Sequence, residues 1–349
     1  MTFAERLRER REACELKQEL LAELVSVEKM SISKYESGEM MPSSSTLIAL
    51  SLVLEVDINY FFRETVPLKT QPEFRMSKKS EKLGETEQMQ IIAQTQDALE
   101  RQLEILEICQ CQGEYVVDTS LRRVARNYED IEALSLDVRD AWKLGLDPIG
   151  NLMEVAESHG FKIFLVDGPE SFDAAVFTGE ECGPIISLRR GAPKERQRFS
   201  LAHELGHYFI QKESVGYQDR DVERMAHRFA AAFLMPKELL VRDVGQTRKS
   251  MTPKELYSLR DRYGASTDAI LIRMAEVNII SPNLKWQLWD LNKVWSSRPP
   301  GKAYSDTEMP RLMQKLVDSA FAEGLISERK GRELLGADGG GRMSYGSVV

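Results

Sequence analysis

The sequence predicts an α+β protein: an all-α N-terminal unit, then a mainly helical domain with a small β-sheet, then a helical C-terminal region. Three observations carry this. Apolar residues recur at helical spacing over residues 2–62 and again beyond 85. Short apolar, β-branched segments at 162–166 and 184–188 read as strands. A polar stretch rich in Lys, Glu, Ser, Thr and Pro at 64–85 carries no sustained apolar period and reads as a mobile tether between two units.

At 349 residues, 42% hydrophobic and 29% charged, the chain has the length of two or three folding units and the balance of a soluble globular protein. Its longest apolar runs, such as "IALSLVLEV" at 48–56, fall far short of a membrane span of about 20 residues. The first 20 residues lack a signal-peptide core, so a cytoplasmic location is expected. Four cysteines (Cys14, Cys109, Cys111, Cys182) are too sparse for a disulfide framework and read as free thiols. A net charge of −8 argues against a chain-wide attraction to nucleic acid, although a local basic face could still bind it.

In the N-terminal unit, residues 1–63, the apolar positions Phe3, Leu7, Leu20, Leu21, Leu24, Ile32, Tyr35, Leu47, Leu50, Leu54, Ile58 and Phe61 mark short helices sharing a core. Ser26 is a candidate N-cap for a helix running through Tyr35, Gly38 stops it, and Pro42-Ser43 turns into the next. The stretch from "LKQELLAELVSVEKMSISKYESGEMMP" to "INYFF" resembles the five-helix helix-turn-helix domain of the phage-repressor-like XRE family. That resemblance implies a recognition helix at 27–35 and DNA as a partner. The unit holds eight Lys/Arg against eleven Asp/Glu, so DNA binding must rely on a local face. Lys29 and Lys34, with Ser31 and Ser33 between them, are the candidates for phosphate and base-edge contacts. The competing reading is a fold used for dimerisation or protein contact.

The segment 86–250 opens with "EQMQIIAQTQDALERQLEILEICQ", a packing or dimer helix with Ile91, Leu99, Leu103 and Ile105 among charged positions. Two further helices follow, broken at Gly145 to Pro148, then the strand at 162–166. The chemistry lies in "RFSLAHELGHYFIQKE", which holds two of the four histidines. His203 and His207, four apart, share one helix face, close enough for both imidazoles to bind one Zn²⁺ at about 2.0–2.1 Å. Glu204 can reach the remaining coordination position and take a proton from water there. A catalytic zinc needs a third protein ligand, for which Glu213, Asp219, Asp221, Glu223 and His227 are downstream candidates. Glu223 and His227 open "ERMAHRFAAAFLMP", a helix whose Met225, Phe229 and Phe233 can pack on the first. That packing turns Glu223 toward the metal as ligand and makes His227 an outer-sphere partner or substitute ligand. Manganese suits the same donor set as zinc.

"RFSLAHELGH" followed by "ERMAHRFAAAFLMP" resembles the ImmA/IrrE family of regulatory zinc peptidases. The resemblance implies a zincin-like fold, His203, His207 and Glu223 as ligands, and Glu204 as general base. His227 departs from the family's Asn or Asp, and a histidine accepts a ligand's N–H only in one neutral tautomer. "LYSLRDRYGASTDAILIRMAEVNIIS" is similar to the family's helical segment after the peptidase, entered through a Thr252-Pro253-x-Glu255 capping signal. "FAEGLISERKGRELLG" is similar to the helical tail of its long members, so 251–336 is expected to be helical and 337–349 a disordered tail.

The expected function is regulatory, zinc-dependent peptide hydrolysis. The resemblance implies a protein substrate, a specific XRE-type repressor, whose cleavage releases stress or mobile-element genes. "PIISL", if it forms an exposed edge beside the cleft, offers Ile185, Ile186 and Ser187 to an extended substrate. No transition-state-stabilising donor stands out: Tyr208, Tyr217 and Arg228 are near in sequence without a telling spacing. Cys182 could silence the metal, though a lone cysteine is usually only a cysteine. Two readings compete: a DNA-binding transcription factor whose metal domain senses a signal, and an antitoxin-like binding protein. Glu204 favours the enzyme, since a structural site has no need of a base.

Overall fold

A computed structural model of the chain describes residues 2–54, 56, 58–63, 68, 72–76, 82–179, 183–211, 219–296, 304 and 308–336. The tail expected at 337–349 lies outside them. The chain is α+β as its patterning predicts, with four strands among many helices.

Four α-helices and a 3₁₀ turn make the N-terminal unit: α1 (Phe3–Ala13), α2 (Gln18–Leu24), α3 (Lys29–Ser37), α4 (Ser44–Val53) and Ile58–Phe62. They bury Leu7, Leu21, Ile32, Tyr35, Leu50, Leu54 and Phe61 in one core. Thr2 and Glu5 form a capping box on α1, and Ser43 caps α4. Gly38 ends α3 in the left-handed region, φ +76°. Ser26 is not the N-cap of α3: it sits in the preceding turn with φ +57°, and Glu28 occupies the cap position.

Within the expected tether lies a strand, β1 (Glu73–Met76), followed by α5 (Glu85–Ile108). The idea of a structureless connection over 64–85 is thereby corrected. So is the idea of two freely moving ends, because the N-terminal unit is clamped to α5. Arg6 donates to both carboxylate oxygens of Glu100 at 2.8 and 2.9 Å, and each side chain is only 1% exposed. Arg6 also reaches the Arg63 carbonyl, and Arg63 pairs with Asp97 of α5.

The sheet comes next, between α6 (Tyr128–Ala141), α7 (Leu152–Ser158) and the site helices: β2 (Lys162–Val166), β3 (Phe172–Gly179) and β4 (Gly183–Arg189). Strand order is β1-β3-β4-β2, with β2 parallel to β4 and the other pairs antiparallel. The period-two alternation splits the strands between two cores. Ile163, Ala174, Ile186 and Leu188 join the main core, while Phe164, Val166, Ala175, Phe177 and Ile185 face α5 with Ile91 and Leu99. β4 is therefore an interior strand, paired on both sides, and cannot accept a substrate strand. Ile185, Ile186 and Ser187 are all buried, and Ser187 bonds Thr95 of α5 at 2.7 Å.

The site helices are α8 (Lys194–Phe209) and α9 (Asp219–Leu234), backed by α10 (Lys237–Val244). α11 (Pro253–Tyr263), α12 (Thr267–Glu276) and α13 (Pro282–Trp295) complete the main body. Thr252 and Glu255 form the expected capping box, with Pro253 in the first turn. Last come α14 (Leu312–Ala322) and α15 (Glu328–Leu335), which pack on the C-terminal half of α5 through Ile105, Val317 and Leu334. Glu333 of α15 meets Arg63 and Asn59, so both ends of the described chain converge on α5. No helix of the described residues is long and apolar enough to cross a membrane.

Candidate metal centre

α8 carries His203, Glu204 and His207 on its inner surface, and α9 lies across it. The close approach has a local cause. Gly206 presents no side chain to α9, and a Cβ there would meet the Ala226 Cα and carbonyl oxygen at 3.2 Å. Phe209, Phe229 and Phe233 fill the space behind, with Trp142 edge-on to Phe209 and Phe233. Glu132 of α6 fixes α9 by accepting from Arg228 at 2.6 Å and, on its other oxygen, from Arg273 of α12 at 2.8 Å.

This packing brings three donor groups to one point. The Nε2 atoms of His203 and His207 are 2.9 Å apart. The Glu223 carboxylate lies 3.5 Å from the first and 3.2 Å from the second. Two ligands held at about 2.05 Å by a tetrahedral ion are about 3.3 Å apart, so the set has the spacing of a zinc site. The chemistry of the donors agrees. Burial holds the His203 imidazole well below its usual range, hence neutral, and the contacts with both histidines hold the Glu223 carboxyl low, hence ionised. Two imidazoles and one carboxylate fit a catalytic divalent metal.

His227 is exposed, with its ring centroid 4.4 Å from that of His203. One of its nitrogens lies within 4.8 Å of ligand atoms of both His203 and Glu223. Among the described residues the Nδ1 atoms of His203 and His207 are buried without a hydrogen-bond partner, so His227 does not orient His203 through that atom. It stands beside the three-residue set as a neighbouring group, not as the acceptor that orients His203. Asp221 pairs with Arg224 in its own helix at 3.6 Å. Glu213, Tyr217, Cys182 and the Asp219 side chain lie outside the described residues.

Glu204 is buried beside this cluster, and burial pushes its carboxyl up to about 7. Facing it is a residue that sequence reasoning missed. Arg75 of β1 sets Nη1 4.0 Å from Glu204 Oε1 and 3.5 Å from the Ser200 carbonyl, with its guanidinium over the Phe199 ring. No spacing rule could find it, because a four-residue strand in a polar stretch leaves almost no periodic signal. The nearer candidates are turned away: Tyr208 packs on Phe161 and Arg122, and Arg228 serves Glu132 and Glu276.

On the N-terminal unit, α3 exposes Lys29, Ser33 and Lys34 and leaves Ser31 half-buried, while Ile32 and Tyr35 face the core. Lys29 lies 3.8 Å from Glu19 of α2, a solvated pair.

Comparison with known families agrees with both the N-terminal unit and the metal-site region. Residues 7–61 match the family described as helix-turn-helix, and residues 156–275 match the peptidase M78 family, described as the IrrE N-terminal-like domain. No curated protein matches the chain. The second match spans β2 to α12 and so contains the whole metal cluster, whereas β1 and Arg75 fall before it. The chain thus carries a region matching helix-turn-helix domains, of the XRE type its sequence resembles, followed by one matching the IrrE-like domain of the M78 peptidase family.

Proposed function

We infer that the chain is a regulatory zinc-dependent endopeptidase that cleaves a specific transcriptional repressor. The observation that carries this is the convergence of His203, His207 and Glu223 within 3.5 Å of one another, with Glu204 on the same helix turn. A divalent metal bound by those three residues supplies a Lewis acid for the scissile carbonyl and makes a water acidic near neutrality. The protein's part is positioning and proton transfer. Glu204 takes the proton of the attacking water and returns it to the leaving amine, from its buried place on the same helix turn as the two histidine ligands. The aromatic wall of Trp142, Phe209, Phe229 and Phe233 keeps α8 and α9 in register, so the ligands hold their spacing.

The helix-turn-helix domain supports a regulatory substrate, with Lys29, Ser31, Ser33 and Lys34 contacting DNA from α3. It equally supports a second reading, a DNA-binding regulator whose metal domain senses a signal and cuts nothing. One experiment separates them. Purified wild type, Glu223→Ala and Glu204→Gln are analysed for metal, then incubated with a panel of purified XRE-type repressors. About one zinc per chain in wild type and Glu204→Gln, none in Glu223→Ala, and cleavage by wild type alone is the expected result. Bound zinc with no cleavage of any of them favours the sensor.

A further inference from the structure

We propose that Arg75, delivered from the segment between the two domains, is the catalytic donor that stabilises the negative oxygen formed on the scissile carbonyl. The proposal rests on the peptidase reading above and adds the residue that reading lacks.

Strand alternation aims it. Phe74 and Met76 pack into the cluster with α5, so Arg75 between them emerges on the opposite face of the sheet, where α8 lies. Its pairing opposite Ala174 of β3 sets its height along α8, level with Ser200 and Glu204. The side chain is only 20% exposed, and the carboxylates of Glu204, Asp173 and Glu223 act on its charge, opposed by Arg196.

What marks it as functional is how it is held. The most deeply buried arginines are held by short hydrogen bonds. Arg6 grips Glu100 at 2.8 and 2.9 Å, and Arg273 grips Glu132 with two nitrogens. Among the described residues Arg75 makes only long contacts, 3.5 Å to a carbonyl and 4.0 Å to Glu204. A guanidinium has five N–H donors. One kept largely out of water without short partners is oriented yet still able to donate, which is the requirement for stabilising charge that appears only in the transition state. The gap to Glu204 exceeds a hydrogen bond and is short enough for the two groups to reach different oxygens of one tetrahedral centre.

The step balances. The water oxygen bonds to the carbonyl carbon as Glu204 takes its proton, and the C=O π pair moves onto oxygen, where Arg75 N–H groups donate. The pair then returns, the C–N bond breaks, and Glu204 protonates the leaving nitrogen.

The test uses the full chain with Co²⁺ as metal and inorganic phosphate as a tetrahedral oxyanion. Phosphate affinity is read from the cobalt absorption bands in wild type, Arg75→Gln and Arg75→Lys. The expected result is unchanged cobalt stoichiometry, with phosphate binding at least about tenfold weaker in Arg75→Gln and intermediate in Arg75→Lys. On a repressor that the wild type cleaves, kcat in Arg75→Gln falls by about 10²-fold with KM within a few-fold. Equal phosphate affinity in all three proteins, or wild type that binds cobalt and no phosphate, overturns the assignment. A rise in kcat overturns it too, because β1 would then be a blocking segment. Failure of wild type to take up any metal overturns the peptidase reading itself.

Discussion

Gly206 of α8 lies close against the Ala226 backbone of α9: a methyl group on Gly206 would sit 3.2 Å from the Ala226 Cα and its carbonyl oxygen. Gly206→Ala must therefore push the two helices apart by a few tenths of an ångström. Overpacking of this kind costs about 1–3 kcal/mol, and the same shift spreads the ligands on α8 from Glu223 on α9. Thermal unfolding of the metal-free protein and a metal titration should both register the change. An unaltered Tm with unaltered metal affinity would show that the contact relaxes freely.

His227 stands close enough to the ligand atoms to assist without being required. His227→Ala should retain about one metal ion per chain and bind it some tenfold more weakly, an effect at the lower end of that for outer-sphere groups. Competition against a chelator of known affinity measures this. Complete loss of metal would promote His227 to an obligatory ligand.

The pair of Arg6 and Glu100 holds the N-terminal unit on α5 with both charges out of water. Removing one partner strands the other, which costs about 3–5 kcal/mol. Arg6→Ala should lose that much in denaturant unfolding, and the double change Arg6→Ala with Glu100→Ala should recover part of it. A simple sum of the single effects would mean the pair contributes nothing as a pair.

Glu157 gives the fold a pH slope. Its carboxylate accepts from the Arg311 and Leu312 backbone N–H groups at the start of α14, at 2.6 and 3.0 Å, yet burial outweighs them and pushes the group up to about 7. The unfolded value is near 4.5, so the folded state favours the protonated form. That contribution is fully present below about 4.5 and is lost as pH rises through about 7. Between pH 5 and 8 stability should fall on the order of 2–3 kcal/mol from this group alone. Urea midpoints at the two pH values should show a shallower decline in Glu157→Gln; parallel declines would locate the slope elsewhere.

What could be read in advance was local. Two histidines four apart share a helix face wherever they occur, and the capping pattern at Thr252 and Glu255 needs only neighbours. The strand at 162–166 announced itself by composition. Pairing did not: the alternation in 184–188 is the same for an edge or an interior strand, and only the pairing of β3 and β2 on either side makes β4 interior. The docking of the N-terminal unit was equally invisible, since Arg6 and Glu100 lie 94 residues apart and each looks like an ordinary surface charge in an amphipathic helix. Arg75 combined both difficulties, a charge in a polar stretch whose meaning depends on sheet register.

The position of β1 also bears on how the peptidase half can be isolated. A fragment begun at residue 86 would keep the whole family-matched region and lose the fourth strand. The β3 backbone from 172 to 176 would then lie bare, alongside the apolar side chains of Phe172 and Ala175. An unpaired, apolar sheet edge recruits copies of itself, so such fragments should precipitate or form strand-swapped oligomers, whereas those begun before Glu73 should remain dispersed.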